Sequence, residues 1–340
     1  MAEARRIEAE VLYNGQEVGL SGKLTALSYT DNDSGVSDEI TLTFEERAAA
    51  WIRDALRPQK GADLDVTLWF KNWKRDGDRL RYHCGNFTLD DLTYSAPPRR
   101  CVLKGVSIPA DQGFKAEKVS KTWQGVTLRQ IAEEIKNKYG MANLYYWGPE
   151  PDPVLESVEQ DKKPDSTFLA EICDKQGMFL KIYKRGLVIF DKSIYEARGI
   201  TRTFTEPEIE DGYSWNDTLD GTYTGAKLTY THTNGKGSKK KAETIAVTVG
   251  EGPRWLELDD KVESEADALR LCRAKVNEEN EKMCTVTFSA PADPDIVATC
   301  NIALHGMGAM DGKYFVTKVS HSLSGKHSMK VSAYRIFNRL

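Results

Sequence analysis

Residues 264–290 read SEADALRLCRAKVNEENEKMCTVTFSA, and the change of period inside this stretch decides the fold. Ser264, with Asp267 three residues on, is an N-terminal cap pair. Ala266, Leu269, Cys272 and Val276 then fall on one face at helical spacing, with acids and bases between them. From Cys284 the period drops to two, with Cys284, Val286 and Phe288 alternating with Thr285 and Thr287. Ile302 and Leu304, an Asp311-Gly312 turn, the run Tyr314 to Val319 and then Met329 to Val331 continue it. The stretch predicts a helix near 264–281 followed by a curling antiparallel meander, with Pro291-Ala292-Asp293-Pro294 as one of its turns.

Upstream of this helix, Leu219 to His232 and Glu243 to Val249 read as strands around the polar tip Asn234 to Lys241. The Lys239-Lys240-Lys241 run at that tip reads as a solvated edge guard. The first hundred residues are also β in pattern. Ile7, Ala9, Val11 and Tyr13 alternate up to an Asn14-Gly15 turn, and Ile40, Leu42 and Phe44 alternate with threonines. Leu64 to Phe70, Leu80 to Cys84, Gly85 to Leu92 and Cys101 to Val106 supply further short strands, with a helix expected at Glu45–Leu56. Many short strands and one helix argue for a barrel or sandwich.

Between the two β regions the character changes. Thr127 and Gln130 have capping-box spacing, and Leu128, Ile131, Ala132, Ile135 and Tyr139 form a helical stripe closed by Gly140. A second helix starts near Asp165 or Ser166, turns Phe168, Leu169, Ile172 and Cys173 inward and stops at Gly177. A hairpin from Met178 to Phe190 turns at Arg185-Gly186. The predicted class is mainly β with an α+β insert: residues 1–107 and 199–340 as two similar β-barrel, tube-like domains each with a helix, and 108–198 as a small α+β domain.

With 340 residues the chain is long enough for two or three domains, and 40% hydrophobic with 29% charged residues is a globular composition. No apolar run has the length to cross a bilayer, so no membrane insertion by the chain itself is expected. The first residues lack the apolar core of a signal peptide, which makes synthesis in a cytoplasm the expectation. A formal net charge of -4 gives no electrostatic reason for specific nucleic-acid binding. The six cysteines lack any C-x-x-C pair and read as reduced core residues.

No chemical motif stands out. The histidines His83, His232, His305, His321 and His327 have no ligand spacing, so they read as solvated or core side chains. His305-Gly306-Met307-Gly308 reads as a loop turn rather than an oxyanion loop, since no nucleophile elbow accompanies it. The densest acids, Asp259-Asp260, Glu206 to Asp211 and Asp31-Asn32-Asp33, single out no glycosidase pair. Asp31, Asp33 and Gly35 have some likeness to a calcium loop but lack its terminal glutamate, and a solvated turn is expected there. No catalytic residue, cofactor-binding residue, metal ligand or cofactor is therefore predicted. Of the seven tryptophans, Trp73, Trp123, Trp147 and Trp255 lie beside loops or charges and are candidates for partner contacts, against an equal reading as core cover.

The order of weak motifs along the chain resembles the phage late control protein D family, the baseplate hubs of contractile tails, closest to the shorter XkdQ-type hubs and related to the front part of VgrG spikes. Tyr29 to Asp38, Trp51, Pro58 to Gly61 and Cys84 to Asp90 are similar to its first barrel. Lys115 to Lys118, Trp123, the 128–140 helix, Gln160, Phe168-Leu169 and Gly177 are similar to its middle domain. Trp215 to Thr218, Gly221 to Ala226, Asp293 to Ala298 and Gly308 to His321 are similar to its second barrel.

That resemblance implies a structural hub: two like barrels per subunit, and a homotrimer closing a pseudo-hexameric ring between the tail tube protein and the central spike protein. It further implies baseplate wedge and tape-measure proteins as neighbours, and a place in a virion or tailocin particle, assembled in the host cytoplasm. The chain ends at Leu340, just after the second barrel region, so no fused lysozyme, β-helical spike or peptidase domain is expected and no enzymatic role with it. The rival readings are a cell-wall hydrolase carrying its acids on the middle domain and a carbohydrate-binding module using Trp123 or Trp147.

Overall fold

The computed structural model describes residues 4–17, 24–35, 37–45, 58–107, 113–234, 241–262 and 264–340. The helix expected at Glu45–Leu56, with Trp51 in it, lies outside the described residues from position 46 on, as do Lys239 and Lys240.

The first region builds strands β1 (Arg6–Tyr13), β2 (Leu24–Asn32), β3 (Glu39–Glu45), β4 (Asp63–Lys71), β5 (Arg79–Ser95) and β6 (Arg100–Val106). Alternation sets the faces: Ile40, Leu42 and Phe44 of β3 are buried while the threonines between them are half-exposed. Leu64, Val66, Leu68 and Phe70 of β4 and Leu103 of β6 complete this core. One strand replaces two expected ones, because β5 runs unbroken through Cys84 and Gly85. The pairing of β4 with β5 slips between Val66 and Thr67, and Gly85, at φ +125, takes up the irregularity without ending the strand.

The middle region begins with the short helix α1 (Gly113–Ala116) and strand β7 (Lys118–Thr127), followed by helix α2 (Leu128–Lys138), β8 (Leu144–Trp147), β9 (Val154–Pro164), α3 (Asp165–Lys175), β10 (Phe179–Tyr183), β11 (Gly186–Phe190) and α4 (Lys192–Glu196). The capping box forms as its spacing predicts: the Thr127 hydroxyl accepts from the Gln130 N–H and the Gln130 side chain accepts from the Thr127 N–H. Both amphipathic helices bury the expected stripes. The β7–β9 ribbon adds to the expected elements, since its exposed strands lack alternation strong enough to read in the sequence.

The third region carries β12 (Arg202–Phe204), β13 (Glu210–Asp217), β14 (Gly225–Asn234), β15 (Lys241–Gly250), β16 (Trp255–Leu258), helix α5 (Glu265–Asn280), β17 (Cys284–Pro291), β18 (Asn301–Leu304), β19 (Gly312–Ser324) and β20 (Lys326–Arg335). The strand expected from Leu219 starts only at Gly225, after a turn through Gly221. The Ser264 hydroxyl accepts from the Asp267 N–H at 3.1 Å, as the cap pair predicts. The buried face of α5 is rotated from the expected one: Ala268, Leu271, Cys272 and Val276 are buried, Leu269 is half-buried and Ala266 is exposed. Ala268, Cys272 and Val276, at i, i+4 and i+8 of a 3.6-residue period and with Leu269 beside them, pack on the sheet β15-β14-β16, while Leu271 is buried outside that cluster.

One sheet of 12 strands runs through both β regions in the order β1-β4-β5-β6-β3-β2-β19-β20-β17-β13, with β18 paired to β19 and to β12 beside it. The seam is the antiparallel pairing of β2 with β19, from Leu27 opposite Leu323 to Asn32 opposite Lys318. Each end strand pairs with a later strand of its own region, β1 with β4 and β13 with β17. Between those ends the orders differ, β4-β5-β6 against β17-β20-β19. The six cysteines are free thiols, five buried and Cys300 half-buried.

Candidate functional site

The seam brings charged side chains from all three regions into the interior. Asp31 sits at the end of β2, and Asp33 and Asp38 on the turn after it, yet the three are 5%, 8% and 1% exposed. The solvated turn expected here is not what forms. Lys181 of β10 pairs with Asp31 and, at 3.3 Å, with Asp38. The second Asp31 oxygen accepts the Ala298 N–H at 2.8 Å, across the seam. Asp38 also accepts the Asn32 N–H at 2.8 Å.

Lys192 of α4 continues the network. Its ammonium lies 2.9 Å from Asp33 and 2.8 Å from Glu281, which follows the C-terminus of α5. Arg339 then bridges Glu281, at 2.8 Å, to Glu196 of α4 by a two-pronged contact at 2.7 and 2.8 Å. The Tyr334 hydroxyl of β20 donates to Glu196 at 2.5 Å.

Electrostatics follow from burial. Desolvation alone would depress the Lys181 ammonium, but the charges of Asp31 and Asp38 outweigh it and hold Lys181 above the ordinary lysine value. Lys192 is likewise raised, against its own burial, by Asp33 and Glu281. Asp38 is pushed up to about 7, chiefly by burial, with the Lys181 charge only partly offsetting it. A buried network of this kind fixes geometry: losing one partner strands a charge in a low dielectric, at a cost of roughly 3–5 kcal/mol. Its chemistry is that of a joint holding three regions in one arrangement. A cleft of about 1000 Å³ runs beside it, between α3 and β10 on one side and β17 and β20 on the other.

The other residues singled out in the sequence are dispersed. Trp123 is buried and stacks on Phe168 at 6.2 Å, which removes it as a partner contact. Trp73 packs edge-on against Phe70 at 5.0 Å, and Lys227 lies over the Trp255 ring. Trp147 is half-buried and stacks on Tyr145. The Asp311 carboxylate accepts the N–H groups of Gly306 and Met307 at 3.0 and 2.6 Å, so those amides serve a loop turn. Among the acids, Glu208 pairs with Arg202 and Glu210 with Lys326. Among the described residues, no group of three or more His, Cys, Asp or Glu is arranged to hold a metal ion. Sequence reasoning missed the network because its members lie up to about 300 positions apart; only the apolar surroundings of Lys181, in FLKIY, hinted at a buried cation.

No protein-family model and no curated protein matches this sequence. Solved structures do match its fold. The 43 kDa tail protein of prophage MuSo2 from Shewanella oneidensis aligns at TM-score 0.69 and 13% identity, over 96% of this chain and 98% of that one. A tail protein from Neisseria meningitidis MC58 aligns at 0.70 and 11% identity, over 97% and 96%. The c3393 protein of E. coli, a component of the type VI secretion system similar to T4 tail proteins gp27 and gp5, aligns at 0.60 and 11% identity, over 99% and 78%. The fold is thus that of phage tail proteins along the whole chain, as the resemblance in the sequence implies.

Proposed function

We propose, from a fold shared end to end with phage tail proteins, that this chain is the structural baseplate hub of a contractile phage tail or of a phage-derived particle such as a tailocin, of the late control protein D type. On this reading residues 1–107 and 199–340 are the two β units of each subunit, with 108–198 as the insert. Three copies form a homotrimeric, pseudo-hexameric ring that joins the tail tube to the central spike, with wedge and tape-measure proteins as further neighbours. The role is structural, without catalytic residue, metal or cofactor.

The observation that carries this reading is the seam between β2 and β19. It joins two β regions into one continuous sheet, and the buried ion network behind it holds their relative placement. Three such joined pairs offer six β units to a sixfold tube while staying threefold toward a spike, and closed cyclic symmetry is the usual arrangement of soluble oligomers. The sheet ends at β1 and β13 suit head-to-tail contact, the first region of one copy against the third of the next.

Reconstruction of the assembled particle tests this. Three copies at the tube–spike junction are expected; six separate copies, or one central copy, would sink the ring. Incubation of the pure chain with peptidoglycan tests the structural role, and turnover abolished by one acid-to-amide change would overturn it.

A further inference from the structure

Lys181, Asp31 and Asp38 stand in an arrangement that can do more than pair charges. Lys181 Nζ is in contact with Asp31 Oδ1, and the two side chains are 11% and 7% exposed. The other Asp31 oxygen, Oδ2, accepts the Ala298 N–H at 2.8 Å. Asp38 places both of its carboxyl oxygens 3.3 Å from the same Nζ. Asp38 Oδ1 accepts the Asn32 N–H, while Oδ2 is buried without a hydrogen bond and is free to carry a proton. Burial, only partly offset by Lys181, pushes Asp38 up to about 7, so that proton is present near neutral pH. Lys74 with Asp295 and Lys121 with Glu134 make contacts as close. Both of those pairs lie at the surface, where water solvates the ions.

We propose that Lys181 and Asp31 condense to an intramolecular isopeptide bond, with Asp38 as the acid–base partner, tying the insert covalently to the first β region. The bond forms in the folded chain whatever that chain assembles with. The ion pair is its resting precursor, since Asp31 and Asp38 hold Lys181 above the ordinary lysine value. A proton passes from the Lys181 ammonium to the Asp31 carboxylate, which leaves the net charge of the site unchanged. The amine attacks Asp31 Cγ, and the Ala298 N–H meets the charge that develops on Oδ2. Asp38 gives its proton to the departing Oδ1 hydroxyl and takes one from the new amide nitrogen. One C–N bond forms, one C–O bond breaks and one water leaves; nothing is oxidised or reduced. Asp31 and Lys181 line a cleft of about 520 Å³ with Tyr29, Tyr82 and Tyr183, which gives that water a way out. In bulk water the separate ions are favoured. Here both charges carry a desolvation cost that a neutral amide does not, and the fold holds the reacting groups together. The step is a single event within the chain, not turnover.

The test is intact-mass spectrometry of the full chain, denatured after prolonged incubation at neutral pH, followed by peptide mapping. The parent is expected to weigh one water less than its sequence, and its digest to contain a branched peptide joining Asp31 to Lys181. Lys181→Arg keeps the positive charge but supplies no amine nucleophile, and it is expected to keep the full mass. Asp38→Asn still accepts the Asn32 N–H but cannot relay the proton, and it too is expected to keep the full mass. A parent of full mass overturns the proposal by itself, so a variant that fails to fold does not protect it. Loss of the water in Lys181→Arg also overturns it. So does a missing water that maps to a succinimide at Asp211-Gly212 or Asp311-Gly312, with the two peptides unlinked.

Discussion

Tyr29 and His321 are cross-strand partners in the seam, and their rings lie stacked at 6.1 Å with planes 9° apart. Tyr82 meets His321 edge-on at 5.0 Å. His321 is fully buried, and neither ring nitrogen has a hydrogen-bond partner. The two β halves are therefore joined by backbone pairing and by aromatic packing around one uncharged imidazole.

That imidazole makes the seam sensitive to acid. Burial pushes the His321 pKa down to about 4, with the Asp31 and Asp293 charges offsetting only part of the effect. The unfolded chain then binds more protons than the folded one between about pH 4 and 6.5, so this group's contribution rises with pH across that window and is lost on acidification. His321→Phe keeps a flat ring without the titration. Stability measured by urea unfolding at several pH values is expected to fall less between pH 6.5 and 4 in the variant than in the parent. An unchanged pH profile would refute this account.

Lys181 and Asp38 differ in what their loss costs. Lys181→Met strands Asp31 beside the seam and is expected to destabilise by about 3–5 kcal/mol. Asp38→Asn costs less, because the Asp38 carboxyl is pushed up to about 7 and an amide oxygen still accepts the Asn32 N–H. The sign for Asp38 is opposite to that for His321: its folded pKa is raised, so its contribution to stability falls as pH rises from roughly 4 to 7. Denaturant unfolding of the two variants at pH 7.5 checks the order, and equal losses would contradict it.

Removing the hydroxyl in Thr127→Ala deletes one arm of the capping box on α2. A loss of about 1 kcal/mol is expected, seen as a lower midpoint in urea without a change in slope. Thr127→Ser retains the cap and should restore most of it.

Gly225 begins β14 where backbone and indole close in from both sides. A Cβ there would meet the Val249 carbonyl oxygen at 2.4 Å and the Trp255 ring at 2.6 Å. Gly225→Ala therefore forces β14 away from its neighbours, at a cost of roughly 1–3 kcal/mol. Thermal unfolding is the measurement; a midpoint equal to that of the parent would mean the sheet yields freely at this point.

Local chemistry along the chain determined much of this protein. The 3.6 and 2.0 periods located α2, α3 and α5 and most of the long strands, and the Thr127 and Ser264 caps marked where α2 and α5 start, because those signals lie within a few positions of one another. Weak or shared signals were lost: the exposed β7–β9 ribbon, the unbroken run of β5 through Gly85, and the true face of α5, where several apolar residues competed for one stripe. Tertiary structure alone decided the seam, since nothing in β2 names β19 as its neighbour some 290 residues away. It also decided the fate of Asp31 and Asp33, which read as a solvated turn, and of Asp38 close behind them. Acids are buried only where cations arrive to meet them, and Lys181 and Lys192 come from β10 and α4, far from that turn along the chain.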